Sequence, residues 1–316
     1  MEASPKLSNE LKLAVMIPCF NEEVTVSKVV NDFRKALPNA VIYVFDNNST
    51  DRTAQLARAA GALVIKEPRQ GKGYVVQKMF SEVEADIYVM VDGDDTYPAD
   101  AVQRLIAPIL NNQADMVVGS RFQKFEKNAF RPFHEFGNWL VRTLVNLIFN
   151  ANLTDILSGY RAFNRSIVKG LPIVSQGFEV ETEMVMQALY YRYKIIEIPV
   201  EYRARPPGSY SKLNTIKDGV LVLKTLINVA KTYKPLLVFF SLGAVFAGSG
   251  LILGLIPIWE FIQTGKVQRF PTAILATGLV LISIICWVTG IILDSINYRF
   301  LEVQKLLAAK NQNDRK

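Results

Sequence analysis

Along the first third of the chain, short apolar runs recur, each ending in a polar loop and followed by apolar residues at helical spacing. "KLAVMIP" precedes "NEEVTVSKVVNDFRKAL", "AVIYVF" precedes "STDRTAQLARAAG", "ALVIK" precedes "GYVVQKMFSEV", "DIYVMV" precedes "PADAVQRLIAPIL", and "DMVVG" closes the series. Their alternation with helices predicts an α/β domain on a mainly parallel sheet. Ser49 or Thr50 is placed to cap the second helix and Gly61 to close it.

The last third reads differently. From Pro235 to Trp259 there are 25 residues without a charge and from Phe270 to Leu293 another 24, closed by Lys234, Glu260, Arg269 and Asp294. As helices such runs reach about 36 Å, against a hydrocarbon core of about 30 Å. Two in succession are better explained by lipid than by a protein core, and predict a transmembrane hairpin over 235–293 with spans at 235–259 and 270–293. A hairpin leaves both flanks in one compartment. Lys and Arg number four in residues 215–234 and five in 294–316 but two in 260–269, which predicts that the flanks lie on the cytoplasmic side of the inner membrane.

Just before the hairpin, "LNTIKDGVLVLKTLINVAKTY" sets Leu213, Ile216, Val220, Leu223, Ile227 and Ala230 at helical spacing and Lys217, Lys224 and Lys231 along another stripe. A helix packed on a core reads much the same, but a position next to a span favours an amphipathic helix on the membrane surface. The expected organisation is a catalytic domain over 1–212, an interfacial helix over 213–234, the hairpin over 235–293 and a basic tail over 294–316.

Composition narrows the chemistry. The net charge of +7 could suggest nucleic acid, yet the aromatics are not interleaved with basic residues in any RNA-binding motif, and anionic lipid is the simpler partner. Cys19 and Cys286 fall in a soluble and a membrane region, which excludes a disulfide between them. With a single histidine, His134, they leave no zinc site of the usual Cys/His kind. "MEASPKLSNELK" is polar, so no cleavable signal peptide is expected.

In a parallel sheet, ligands gather beyond the carboxyl ends of the strands. The residues there are Asn21 and Glu22 after the first strand, Asp46 and Asn48 after the second, Arg69 to Gly73 after the third, and Asp92-Gly93-Asp94-Asp95 after the fourth. Taken singly, each is a turn residue or a helix cap; together they line one edge. Asp92 and Asp94 are two apart, so in extended backbone they share a face about 6 to 7 Å apart along the chain. With no base close in sequence, such a pair repels itself unless a cation sits between. Hard oxygens of this kind suit Mg²⁺ or Mn²⁺, which complete their shell with the oxygens of a substrate phosphate.

"IPCFNEE", "DNNSTDRT", "GKGYVV", "VDGDDTYPAD" and "VVGSRF" resemble, in order and spacing, the family-2 glycosyltransferases of the GT-A fold, whose Asp-X-Asp motif holds the metal on a nucleotide-sugar diphosphate. "DILSGYRAFNR", "GFEVETEM", "RPPGSYSKL" and the two-helix anchor extend the likeness over almost the whole chain, to the polyprenyl-phosphate glycosyltransferases, which include dolichyl-phosphate mannose synthases and bactoprenyl glucosyltransferases. The resemblance implies that Pro18, Asn21, Glu22 and Asp46 line the nucleoside pocket, that Lys72 lies near the nucleotide, and that Asp92 and Asp94 carry metal and catalysis. Thr96 stands where some relatives carry Gln, which leaves a third metal ligand open. Ser120, Arg121 and either Arg131 or His134 correspond to groups that receive the acceptor phosphate, with Arg131 placed ahead of His134. Asp155, Ser158, Gly159 and Arg161 would floor the site. Glu179 and Glu181 open a helix, and Arg205 and Lys212 flank a loop whose cations could close over the diphosphate.

The reading is thus an inverting, metal-dependent hexosyltransferase that takes a nucleotide sugar, with UDP-glucose a guess, to polyprenyl phosphate. Membrane lipid is a further partner, nucleic acid is not, and self-association stays open. A processive polysaccharide synthase would carry a Gln-X-X-Arg-Trp string, which does not occur here. A nucleotidyltransferase has no use for a hairpin, and an inactive anchoring subunit has no use for an intact acid pair.

Overall fold

The structure, a computed structural model, describes residues 11–121, 132–210, 220, 224, 226–228 and 230–313, with the backbone alone at 132–137, 301 and 304–313. The chain divides into two compact units, 1–226 and 227–316.

In the first unit, the five anticipated strands are present: β1 (Leu13–Cys19), β2 (Val41–Asp46), β3 (Leu63–Lys66), β4 (Ile87–Met90) and β5 (Met116–Ser120). Two more join them, β6 (Arg161–Asn164) and β7 (Ile195–Pro199), to give a seven-stranded sheet of order β3-β2-β1-β4-β6-β5-β7. β6 runs antiparallel between β4 and β5; every other pairing is parallel. The connecting helices are α1 (Val26–Ala36), α2 (Thr53–Ala59), α3 (Lys72–Glu82), α4 (Val102–Leu110), α5 (Pro132–Phe149), α6 (Arg165–Gly170) and α7 (Val180–Tyr190).

The core follows from the sequence pattern. Val26, Val29, Val30 and Phe33 recur at the spacing of one helical face of α1 and share one buried core with Val15, Ile17 and Cys19 of β1 and Leu105 and Ile106 of α4. Ala14 and Met16, on the other face of β1, are buried as well, as expected of a strand covered on both sides. Each fully buried aliphatic side chain contributes about 1.5–3 kcal/mol, and this packing fixes where the strand ends point.

The cap of α2 differs from expectation. The helix begins at Thr53, and the Ser49 hydroxyl instead accepts the Asn21 N–H at 3.0 Å, tying the β1 exit to the β2 exit. Asp51 Oδ1 takes the Thr53 N–H at 2.9 Å. Gly61 does follow the helix in a left-handed conformation, φ 89°.

The second unit is built on α8 (Pro235–Thr264) and α9 (Phe270–Asn313). α8 overruns the uncharged stretch and stops at Gly265, whose φ of 70° closes the helix through an N–H to the Phe261 carbonyl at 2.8 Å. α9 runs on through most of the segment expected as a separate tail, because residues 294–313 hold no Gly or Pro to end it. Gly243 lets α8 approach Trp287, whose Nε1 donates to the Phe240 carbonyl at 3.1 Å. At the turn, Glu260 Oε2 accepts the N–H groups of Gln268 and Arg269, each at 3.2 Å. Both helices are long and apolar enough to cross a membrane, with mean hydropathy of 2.3 and 2.4 over their most apolar stretches, which are only 11% and 17% buried.

Of the expected interfacial helix, residues 220, 224, 226–228 and 230–233 are described and helical. Val220, Lys224, Ile227 and Lys231 are exposed, whereas Ala230 is buried and does not share the solvent-facing position of Val220 and Ile227.

Candidate active site

The strand exits of the first unit surround a cavity of about 370 Å³. Of the residues singled out from sequence, Pro18, Glu22, Lys72, Asp92, Asp94, Glu181, Arg121 and Arg205 line it. The acid pair lies beyond β4, with Asp94 in a turn, so the extended-strand geometry expected for it does not hold. Neither acid lacks a base. Lys72 Nζ donates to Asp92 Oδ1 at 2.5 Å and contacts Glu181 Oε1 at 2.6 Å, and Arg205 Nη2 lies 2.5 Å from Asp94 Oδ2. Long-range folding supplies the cations that the local sequence lacks.

Asp94 is buried, and burial together with the Asp92 charge raises its pKa. Thr96 answers on the other oxygen, its hydroxyl donating to Asp94 Oδ1 at 2.6 Å. Thr96 thus orients Asp94. Asp95 turns away, φ 59°, to pair with Lys28 at 2.7 Å. Burial opposes the charge on Lys72, but Asp92 and Glu181 outweigh it and its pKa is raised. The thiol of Cys19, buried in the cavity wall, is pushed up by burial and then by Glu22, Asp46, Asp92 and Asp94, a sign of how negative this corner is. Among the described residues no three His, Cys, Asp or Glu side chains converge as a metal cage. Two carboxylates are nonetheless what Mg²⁺ or Mn²⁺ needs when a diphosphate supplies the other oxygens, so the donor set fits such an ion.

The glycines beside these groups serve close approach. Gly71 has φ 144°, a Cβ there would meet the Gln176 carbonyl, and one on Gly73 would meet that of Ser175. The pair thus seats the start of α3 against the 175–176 loop, and Lys72 alone of Arg69 to Gly73 reaches the acids; Arg69 pairs with Glu67 at 2.9 Å. A Cβ on Gly159 would strike the Asp92 carboxylate.

Arg121 is buried and held bidentate by Asp155, Nε to Oδ2 and Nη2 to Oδ1, both 2.8 Å. Burial opposes its charge, but Asp155 prevails and its pKa is raised. Its guanidinium carbon also lies 5.4 Å from the ring centroid of Tyr202. Ser120 bonds the Thr154 hydroxyl at 3.0 Å, and Ser158 donates to the Gly119 carbonyl at 2.6 Å. Arg161 is fully buried and holds the carbonyls of Ile156 and Ser158 at 2.6 and 2.9 Å; it props the loop. Glu179 accepts the N–H groups of Gln176 and Gly177.

Three expected groups, Asn21, Asp46 and Asn48, are not among the residues lining the cavity. Asn21, φ 54°, receives the Thr50 N–H on its side chain at 2.8 Å, and Asp46 receives that of Ser49 at 3.1 Å. Asn48 is exposed on a left-handed turn; its neighbour Asn47 lines the cavity instead, taking the Gly71 N–H at 2.8 Å and donating to the Arg69 carbonyl at 2.7 Å. Tyr97, Phe178 and Tyr202 also line it, and no sequence signal set these aromatics apart from core residues. Arg131 and Lys212, like the His134 side chain, lie outside the described residues.

The mainly parallel sheet, with its antiparallel β6 and a carboxylate pair among cations at the strand exits, is of GT-A-like architecture. The chain belongs to glycosyl transferase family 2, whose model matches residues 14–171. It is 34% identical over 251 residues to "Glycosyltransferase AglJ" of Haloferax volcanii, covering 79% of this chain and 82% of that protein. A "Dolichyl-phosphate hexose transferase" of the same organism is 27% identical over 217 residues, 69% and 93% of the two chains. Among solved structures, glucosyl-3-phosphoglycerate synthase from Mycobacterium tuberculosis, in complex with Mn²⁺, UDP-glucose and phosphoglyceric acid, shares the fold. Its TM-score is 0.56 at 22% identity, over 69% of this chain and 79% of that one.

Proposed function

We propose that this chain moves a hexose from a nucleotide sugar to polyprenyl phosphate with inversion, from a catalytic unit anchored at the cytoplasmic face of the inner membrane. The observation that carries the reading is the cavity in which Asp92 and Asp94 face Lys72, Arg121 and Arg205, on a chain that also holds two helices able to cross a bilayer. Asp92 and Asp94 would hold Mg²⁺ or Mn²⁺, which when bound neutralises the diphosphate of the donor. Lys72 and Arg205 add positive charge on the same side, and Arg121, kept in one orientation by Asp155 on its Nε and Nη2, would bring its charge to the acceptor phosphate. A lipid monophosphate has its second pKa at about 6, so the nucleophile arrives deprotonated and needs no base. What the residues supply is alignment of that oxygen behind the anomeric carbon. UDP-glucose is the first donor to try, although Asp46, whose carboxylate takes the Ser49 N–H, is not among the residues lining the cavity.

The test offers UDP-glucose, UDP-galactose and GDP-mannose, each labelled, to the detergent-solubilised chain with polyprenyl phosphate and Mn²⁺. One donor should place label in the organic phase as a lipid monophosphate sugar, and only when the monophosphate is present. Label that passes to water, or to growing polysaccharide, overturns the proposal.

A further inference from the structure

We infer that Glu197 is a positioning residue for the acceptor phosphate, acting through Asp155 on Arg121. Glu197 belongs to β7, opposite Val118 of β5, and its carboxylate meets the loop that leads into β6. Oε1 accepts the N–H of Asp155 at 2.7 Å and that of Thr154 at 2.9 Å; Oε2 accepts the Thr154 N–H at 2.7 Å and its hydroxyl at 2.9 Å. One such bond would tether the loop. Two consecutive amides and a hydroxyl on a single carboxylate fix both the position and the tilt of residues 154 and 155.

That tilt reaches the cavity in two ways. Asp155, buried, accepts from the N–H, Nε and Nη2 of Arg121, so the plane of the guanidinium follows the backbone that Glu197 holds. The Thr154 hydroxyl also bonds Ser120, the residue before Arg121. With Nε and Nη2 held by Asp155, the rest of the guanidinium is aimed by what packs behind it. Glu197 is not among the residues lining the cavity, which makes its effect on substrate indirect.

The inference rests on the reading of Arg121 as the acceptor-phosphate group, and the experiment separates the two. Apparent KM for polyprenyl phosphate and for the nucleotide sugar are measured on the full chain for Glu197→Ala, Glu197→Gln, Arg121→Lys, and Glu197→Ala combined with Arg121→Lys. Lysine is used at 121 because an outright deletion would strand the buried Asp155 charge. Glu197→Ala should raise the acceptor KM about tenfold and leave the donor KM within about twofold, the signature of one misplaced group. Glu197→Gln, which keeps an oxygen for the two amides, should restore most of the loss, and Glu197→Ala should add little on top of Arg121→Lys. Additive losses in the double variant, or equal rises in both KM values, overturn the relay alone. An unchanged acceptor KM in Arg121→Lys overturns the acceptor reading and the relay with it. Should Glu197→Ala not fold, Glu197→Asp, which withdraws the carboxylate by one methylene, is held to the same expectation.

Discussion

At the scale of single residues, the site stores its negative charge against its own cations. Asp94 is held by Arg205, and Arg205 is also 3.5 Å from Glu22, which takes the Ser209 hydroxyl at 3.0 Å. A metal that claims Asp94 must therefore displace a guanidinium. Arg205→Gln should bind Mn²⁺ about tenfold more tightly in the absence of nucleotide, equivalent to about 1.4 kcal/mol, read by electron paramagnetic titration; an unchanged or weaker affinity would show that Arg205 does not compete. Asp94→Asn keeps the volume and the Thr96 contact but removes the charge. Transfer should fall at least about a hundredfold while the melting temperature moves little, since Arg205 retains Glu22. Undiminished turnover in saturating Mn²⁺ would falsify the metal role.

At the scale of elements, the stripe of Lys217, Lys224 and Lys231 can be tested as a unit. If it lies on an anionic leaflet, each lysine contributes about 1 kcal/mol; Gln at all three keeps helix propensity nearly unchanged. Transfer to long-chain lipid phosphate in anionic bilayers should drop, with transfer to a short acceptor in detergent unaffected. Equal loss in both assays would mean that the stripe packs on protein. What the sequence made legible among the elements has a plain cause. β1 to β5 are local apolar runs, and helices α1 to α4 follow them at short range. β6 is "RAFN", a short run with no apolar stretch to mark it, and its Arg161, expected in the floor of the site, is buried because the carbonyls of Ser158 and Ile156 satisfy it. Its antiparallel insertion between β4 and β5 is a tertiary choice with no local mark. The same holds in the site: Asp92 and Asp94 are legible as a pair, but Lys72 and Arg205 meet them only through the fold. Asn47 and Asn48 differ in nothing but the turn that buries one and exposes the other.

At the scale of the molecule, each unit holds together by its own means. The first is a sheet closed over its core on both faces, and the second is a pair of helices whose apolar residues stay largely exposed. On the proposed topology, the tip between α8 and α9 has to be carried through the bilayer before the protein exists in its working form. An amide left without a partner in hydrocarbon costs several kcal/mol, and the Glu260 carboxylate takes two of them, those of Gln268 and Arg269. It also offsets one of the two cations, Lys266 and Arg269, that travel with it. On that topology, two amides of the tip would keep a partner throughout the crossing, without waiting for the rest of the chain to supply one.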